Sequence, residues 1–250
     1  LIAEKGYTFR LGAQNVSEHK CGAYSGQISA AMLAGVGVTE FLIGHSERRG
    51  GYEEKVVHSQ DIMIERIRTS ANMIDETTIK AAKAEAIEYT NEMLGRKIST
   101  IVEYNKHHLE KQEQNQGENP LFLRPLTALY CIGETLEEKA EGKTLNVLEK
   151  QLEKGLAKIS STDLKYVIIA YEPRWAIGTG KSANPNEIKE AHSMIRSLTR
   201  SDIKILYGGS MKPDTAAEIM AIEGVNGGLI GGASLNAMDF SRIIKYHSKY

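Results

Sequence analysis

Residues 167–181 read Val-Ile-Ile-Ala-Tyr-Glu-Pro-Arg-Trp-Ala-Ile-Gly-Thr-Gly-Lys. Val167–Tyr171 is a short, β-branched apolar run of the kind that forms a strand buried on both faces. Glu172 follows at once, where burial raises a carboxyl pKa and makes the group a better base. A lone Glu at such a point is more often a surface residue opening a loop. Pro173–Lys181 then carries apolar bulk at its centre and glycines near its end. A tip of Trp175, Ala176 and Ile177 between a stiff and a permissive end suits a lid that closes over a ligand and excludes water. A loop packed permanently on the fold would need the same apolar tip.

Working outward, similar runs recur at Phe9–Gln14, Glu40–Ile43, Leu129–Ile132, Ile205–Tyr207 and Gly228–Ile230. Helical patterns follow most of them, at Ala30–Ala34, Glu137–Ile159, Asn186–Leu198, Thr215–Ile222 and Met238–Tyr246. Repeated strand-then-helix order predicts parallel strands in an α/β fold. Six strand signals suit an open doubly wound sheet and fall two short of a closed eight-stranded barrel. The stretch from Gly50 to Leu126 breaks the rhythm. It is polar and helical in pattern, with Ile67, Ile74 and Ala81, then Ile87, Leu94 and Ile101, at seven-residue spacing. Its tail, Lys111–Pro120, reads as a loop. The expectation is an insertion over about 51–126 of two or more helices. It is read first as a solvated excursion without chemistry, and otherwise as a surface for a partner or for oligomerisation.

Composition narrows the function classes. The 250 residues hold 31 Lys plus Arg against 32 Asp plus Glu, a net charge of −1. No global basic field exists, which disfavours nucleic-acid binding. No apolar run approaches the ~18 residues that span a bilayer, so no membrane is expected. Cys21 and Cys131 are too few for a disulfide framework and sit in no metal-ligand spacing. No charged-then-apolar leader opens the sequence. Together these point to a cytoplasmic protein. The chain begins at Leu1 rather than Met, so the natural N-terminus is expected upstream.

In a parallel β/α fold the loops after the strand C-termini form the active face. Here those loops are 44–49, Gly133-Glu134, Glu172-Pro173, 208–210 and 231–234. The acid/base candidates on that rim are His45, Glu47, Glu134 and Glu172. His45 alone is an ordinary structural histidine; opposite a basic carboxylate it becomes a candidate electrophile. Arg48 and Arg49 are expected to pair with Glu47 and Glu134 rather than with a ligand. Gly208-Gly209-Ser210 and Gly231-Gly232 offer backbone amides unhindered by a Cβ. With a short helix starting after Gly232 they suit a phosphate ester.

Taken together these residues resemble the triosephosphate isomerase family. The motifs that carry the likeness are 12–15 (GAQN), 43–49 (IGHSERR), 131–134 (CIGE), 170–181 (AYEPRWAIGTGK), 207–210 (YGGS) and 229–235 (LIGGASL). They occur in the family's order and cover residues 1–50 and 127–250. The resemblance implies a (β/α)8 TIM barrel, here lacking the first two β/α units. It implies interconversion of dihydroxyacetone phosphate and D-glyceraldehyde 3-phosphate through an enediolate, a step of glycolysis and gluconeogenesis, with no cofactor and no metal. Glu172 matches the family's base, His45 the neutral electrophile and Glu47 a buried acid behind the site. Gly178, Ser210, Gly231 and Gly232 match the phosphate binders. The protruding loop Cys21–Gln27 matches one that docks into a second subunit, so a homodimer is implied.

Two departures stand out. Nothing here matches the family's opening strand with its Asn and Lys, and Trp175 is the only Trp. The segment between Arg49 and Leu126 is also far longer than the family's usual link. The competing expectation is a non-catalytic barrel derivative that binds a phosphate ester, or a protein partner through the helical insertion.

Overall fold

The β-branched runs form strands, and every strand lies parallel to its neighbours. The computed structural model describes residues 9–49, 76–114, 124–177 and 183–247. In these, β1 (Leu11–Ala13), β2 (Val38–Ile43), β3 (Thr127–Ile132), β4 (Val167–Tyr171), β5 (Lys204–Tyr207) and β6 (Gly227–Gly228) form one sheet in sequence order. Register runs Ile43↔Tyr130, Ile132↔Tyr171 and Tyr171↔Tyr207, so the strand C-termini line up along one rim. Parallel neighbours need a crossover between them, and helices supply it. They are α1 (Ala30–Ala34), α2 (Glu76–Gln114), α3 (Leu136–Ala140), α4 (Thr144–Leu156), α5 (Pro185–Leu198) and α6 (Ala216–Met220), and α7 (Ala237–Ile244) follows β6.

The six expected strands are all present, with shifted ends. β6 is two residues long and starts one residue before the expected Gly228–Ile230, because two glycines bring no side chain to anchor more ladder. Leu229 still donates to the Tyr207 carbonyl at 2.9 Å. The expected single helix over 137–159 is two helices. Gly142 adopts φ 69°, a left-handed position that ends α3, and Lys143 N–H returns to the Glu138 carbonyl at 2.8 Å. At the other end of α3, Thr135 and Glu138 form a reciprocal capping box.

The 51–126 segment departs most from expectation. Its described part is one continuous helix, the 39-residue α2. Residues 51–75 and 115–123, with Ile67, Ile74 and the end of the expected Lys111–Pro120 loop, lie outside the described residues. Lys111–Gln114 are helical. The reading of a solvated excursion fails over the central turns of α2. Ala86, Met93, Leu94, Ile98, Ile101 and Val102 are core residues there. α2 packs against α4, α1, β2 and β3 and therefore serves as the crossover helix between β2 and β3. Close approach is set by glycines. A Cβ on Gly95 would stand 2.9 Å from the Lys154 carbonyl oxygen of α4.

Candidate active site

The site is built where β2, β3, β4 and β5 end. β4 hands its chain to Glu172, whose N–H donates to the Ile132 carbonyl of β3 at 2.7 Å. On the other side, Gly208 N–H donates to the Tyr171 carbonyl at 2.7 Å. These bonds fix the Glu172 backbone between two strand ends. Gly133 and Gly208 let those ends close in: a Cβ on Gly133 would lie 1.8 Å from the Glu172 carbonyl oxygen, and one on Gly208 2.7 Å from Glu172 Cγ. Glu172 is consequently 2% exposed.

β2 delivers the partner. Gly44, at φ 75°, turns the chain so that His45 caps a helical turn at 46–49, its carbonyl accepting from Arg48 and Arg49 at 2.8 and 2.9 Å. His45 Nε2 lies 3.2 Å from Glu172 Oε1, and Ser46 N–H donates to Glu172 Oε2 at 3.0 Å. Glu47 N–H donates to His45 Nδ1 at 3.4 Å. That bond makes Nδ1 the acceptor, so the ring is neutral with its proton on Nε2, facing the carboxylate. Burial raises the Glu172 carboxyl above its ordinary value. The His45 ring, the Ser46 amide, the Arg49 charge and the Cys131 thiol draw it part of the way back. Burial, and then the charge of Glu172, push the Cys131 thiol well up, so it stays a donor.

Two expectations need correction. Glu47 is no buried acid: its side chain is 84% exposed, with its carboxylate 3.9 Å from His45 Nδ1. At 3.6 residues per turn, position 47 points away from the side that His45 and Arg49 share. The buried carboxylate is Glu134, 1% exposed. Nor does Arg49 pair with Glu47 or Glu134. It donates to Asn91 Oδ1 at 2.5 Å and to the Cys131 carbonyl at 3.1 Å. Glu134 accepts instead from Trp175 Nε1 at 2.7 Å and from the Tyr171 hydroxyl at 3.3 Å.

Those bonds secure the stem of the loop after Glu172. Arg174–Ala176 form a short 3-10 turn, Arg174 N–H reaches the Glu134 carbonyl at 3.0 Å, and Ala176 is buried. Lys139 Nζ sits 3.3 Å from the centre of the Trp175 ring, a cation–π contact. Past the loop, Ala183 N–H donates to the Tyr207 hydroxyl at 3.2 Å. Gly178 lies outside the described residues. Ser210 follows β5 on the same rim. Gly231 caps a 3-10 turn over Gly232–Leu235, and a Cβ at either glycine would meet nothing within 4 Å. Open space thus stands over the start of that turn.

Sequence reading missed the Ser46 amide, Cys131 and Asn91. A backbone donor leaves no side-chain signal. Cys131 lies in a β3 end buried on consecutive residues, and Asn91 is one of several buried polar residues of α2 with Thr90, Lys97, Thr100 and Asn105, so neither stands out by pattern. Among the described residues no group of three His, Cys, Asp or Glu is placed to hold a metal ion. In the same residues no helix is long and apolar enough to cross a membrane. A dry carboxylate beside a neutral imidazole on one rim can move a proton on a small substrate.

Comparison with known proteins agrees in kind. The family model described as triosephosphate isomerase matches residues 2–111 and 103–247. The triosephosphate isomerase of Herminiimonas arsenicoxydans is 35% identical over 95% of this chain and 77% of its own length. That of Geotalea uraniireducens is 36% identical over 98% and 78%. The crystal structure of triosephosphate isomerase from Bartonella henselae superposes with a TM-score of 0.67 at 31% identity, covering 98% of this chain and 79% of that one.

Proposed function

The chain belongs to the triosephosphate isomerase family, and we propose that Glu172 and His45 are the pair through which it interconverts dihydroxyacetone phosphate and D-glyceraldehyde 3-phosphate. Its fold class is accordingly the TIM barrel, of which the described residues supply six adjoining strands. Residues 1–250 are read as one β/α domain, with about 51–126 as a helical insertion within it. The family is a standard illustration of tuned acid–base pairs and of lid closure, so those features are inherited rather than new.

Glu172 takes the proton from the carbon next to the substrate carbonyl. His45 Nε2–H donates to the carbonyl oxygen and stabilises the enediolate as charge moves onto it. The protonated Glu172 then returns the proton to the neighbouring carbon, while the hydroxyl proton passes through His45 Nε2 to the former carbonyl oxygen, leaving the new carbonyl on the first carbon. Glu47, exposed as it is, is left with its N–H bond to His45 Nδ1, which sets the tautomer. Ser210, Gly231 and Gly232, with Gly178 from the loop, are assigned to the phosphate. The support is the open space over Gly231 and Gly232 and the amides at the start of the 3-10 turn.

The observation that carries the reading is the 3.2 Å pairing of a 2% exposed carboxylate with a neutral imidazole. A coupled assay on the purified protein tests it. Turnover of either triose phosphate, abolished by Glu172→Gln, is expected; full turnover in Glu172→Gln overturns the assignment. We also read the loop Cys21–Gln27 as a homodimer contact in a cytoplasmic protein. Its residues are exposed, and Ser17 and Ile28 close its base at 2.9 Å. Sedimentation should give a dimer, and deleting Tyr24–Gly26 should give a monomer.

A further inference from the structure

One buried charge has no part in that scheme. Arg49 is 1% exposed, yet among the described residues no carboxylate forms an ion pair with it. A buried guanidinium persists against its desolvation cost only where its surroundings compensate it. Both of its hydrogen-bond partners are neutral, and both indicate where its field goes. Asn91, 2% exposed on α2, anchors one nitrogen, and the Cys131 carbonyl of β3 anchors another. Glu172 meanwhile donates its N–H to the next carbonyl of β3, that of Ile132, at 2.7 Å, and its carboxylate accepts from Ser46 N–H, three residues before Arg49. Arg49 and Glu172 therefore hold adjacent carbonyls of β3. The missing Cβ of Gly44 keeps that passage narrow, since an ideal one would lie 3.4 Å from both the Arg49 guanidinium and the Cys131 carbonyl oxygen.

We propose that Asn91 is a positioning residue, holding Arg49 under the site so that its fixed positive charge keeps the Glu172 carboxylate ionised in a dry pocket. The inference rests on the reading of Glu172 as the base. The groups facing Glu172 are the neutral His45 ring and Ser46 amide after β2, Arg49 beyond them, the Cys131 thiol from β3 and Gly208 from β5. Arg49 is the one permanent charge in that set. The chemistry of position 91 follows from this. An amide anchors the guanidinium without cancelling its field. A carboxylate there would anchor it as well but neutralise it, and the field at Glu172 would be lost.

The test uses the whole chain labelled with δ-13C glutamate. The Glu172 carboxyl resonance, assigned by its loss in Glu172→Gln, is titrated alongside kcat/KM. Asn91→Asp is expected to keep the melting temperature within a few degrees. It should raise the Glu172 midpoint by at least half a pH unit, about a threefold gain in proton affinity, and move the acid limb of kcat/KM by the same amount. Arg49→Gln, read in the same way, should raise the midpoint at least as far. A midpoint unmoved in either folded variant overturns the proposal, since a purely structural Asn91 predicts that outcome for Asn91→Asp. The two readings fail separately. A midpoint that moves in a protein with no turnover condemns the base assignment alone. Turnover with an unmoved midpoint condemns the role of Asn91 alone.

Discussion

Glu172 is dry because Gly133 and Gly208 let two strand ends close on it, and it is usable because Ser46 and His45 still reach its oxygens. Adding a methyl group at position 133 would drive a Cβ to 1.8 Å from the Glu172 carbonyl oxygen. Gly133→Ala should therefore cost about 3 kcal/mol or more in urea unfolding, and should lower turnover as Glu172 shifts. Wild-type stability in that variant would refute the close packing. Because burial is the largest influence on Glu172 and raises it above 4.5, the ionised base is lost as pH falls through that raised value. The acid limb of kcat/KM should accordingly lie above pH 4.5, and a limb at or below 4.5 would contradict the account. Glu172 and His45 were legible in sequence because Glu172 directly follows an apolar strand and His45 follows one across a single glycine. The burial of Glu134 in place of Glu47 was not. It depends on the rotation of the turn at 46–49 and on hydroxyl and indole donors brought in from β4 and the loop after it.

At the scale of elements, α2 separates what spacing can reveal from what packing decides. The seven-residue series Ile87, Leu94, Ile101 correctly marks a helix, and Leu94 and Ile101 are fully buried. Ile87 belongs to the same series yet is 38% exposed, although Ala86 beside it is fully buried and Glu88 pairs with Lys154 of α4. Periodicity sets which side an apolar residue shares, while the neighbouring elements set how far along the helix that side is covered. Leu94→Ala should thus cost about 2–5 kcal/mol, and Ile87→Ala under about 1 kcal/mol. Equal losses in denaturant titration would show that α2 is not seated as described. The split at Gly142 and the shortness of β6 were legible only in part, since a glycine announces freedom but not whether the chain uses it.

Across the whole molecule, the parallel register gathers the chemistry onto one rim and leaves the helices to seal the sheet. His192 of α5 shows the cost of that seal. It is fully buried, its Nδ1 meets the Gly224 carbonyl at 3.2 Å, and burial holds its pKa down to about 4. The unfolded chain would bind that proton first as pH falls, near 6.5. The stability from the neutral buried ring is full above about pH 6.5 and drains away as pH drops toward 4. His192→Met should flatten this dependence, shrinking the loss of unfolding free energy between pH 7 and 4.5 by about 2 kcal/mol. An unchanged slope would place the acid sensitivity elsewhere. The parallel α/β architecture was readable from strand-then-helix order, whereas the seating of His192 against a carbonyl 32 residues away was not. The account as a whole depends on one carboxylate moving one proton from a fixed position. Shortening it by a methylene withdraws it by ~1 Å, which costs about 10²-fold in rate. The most direct measurement is the kcat of Glu172→Asp with dihydroxyacetone phosphate. A fall of about 10²-fold with KM little changed is expected, and a kcat equal to that of the unaltered protein would contradict the account.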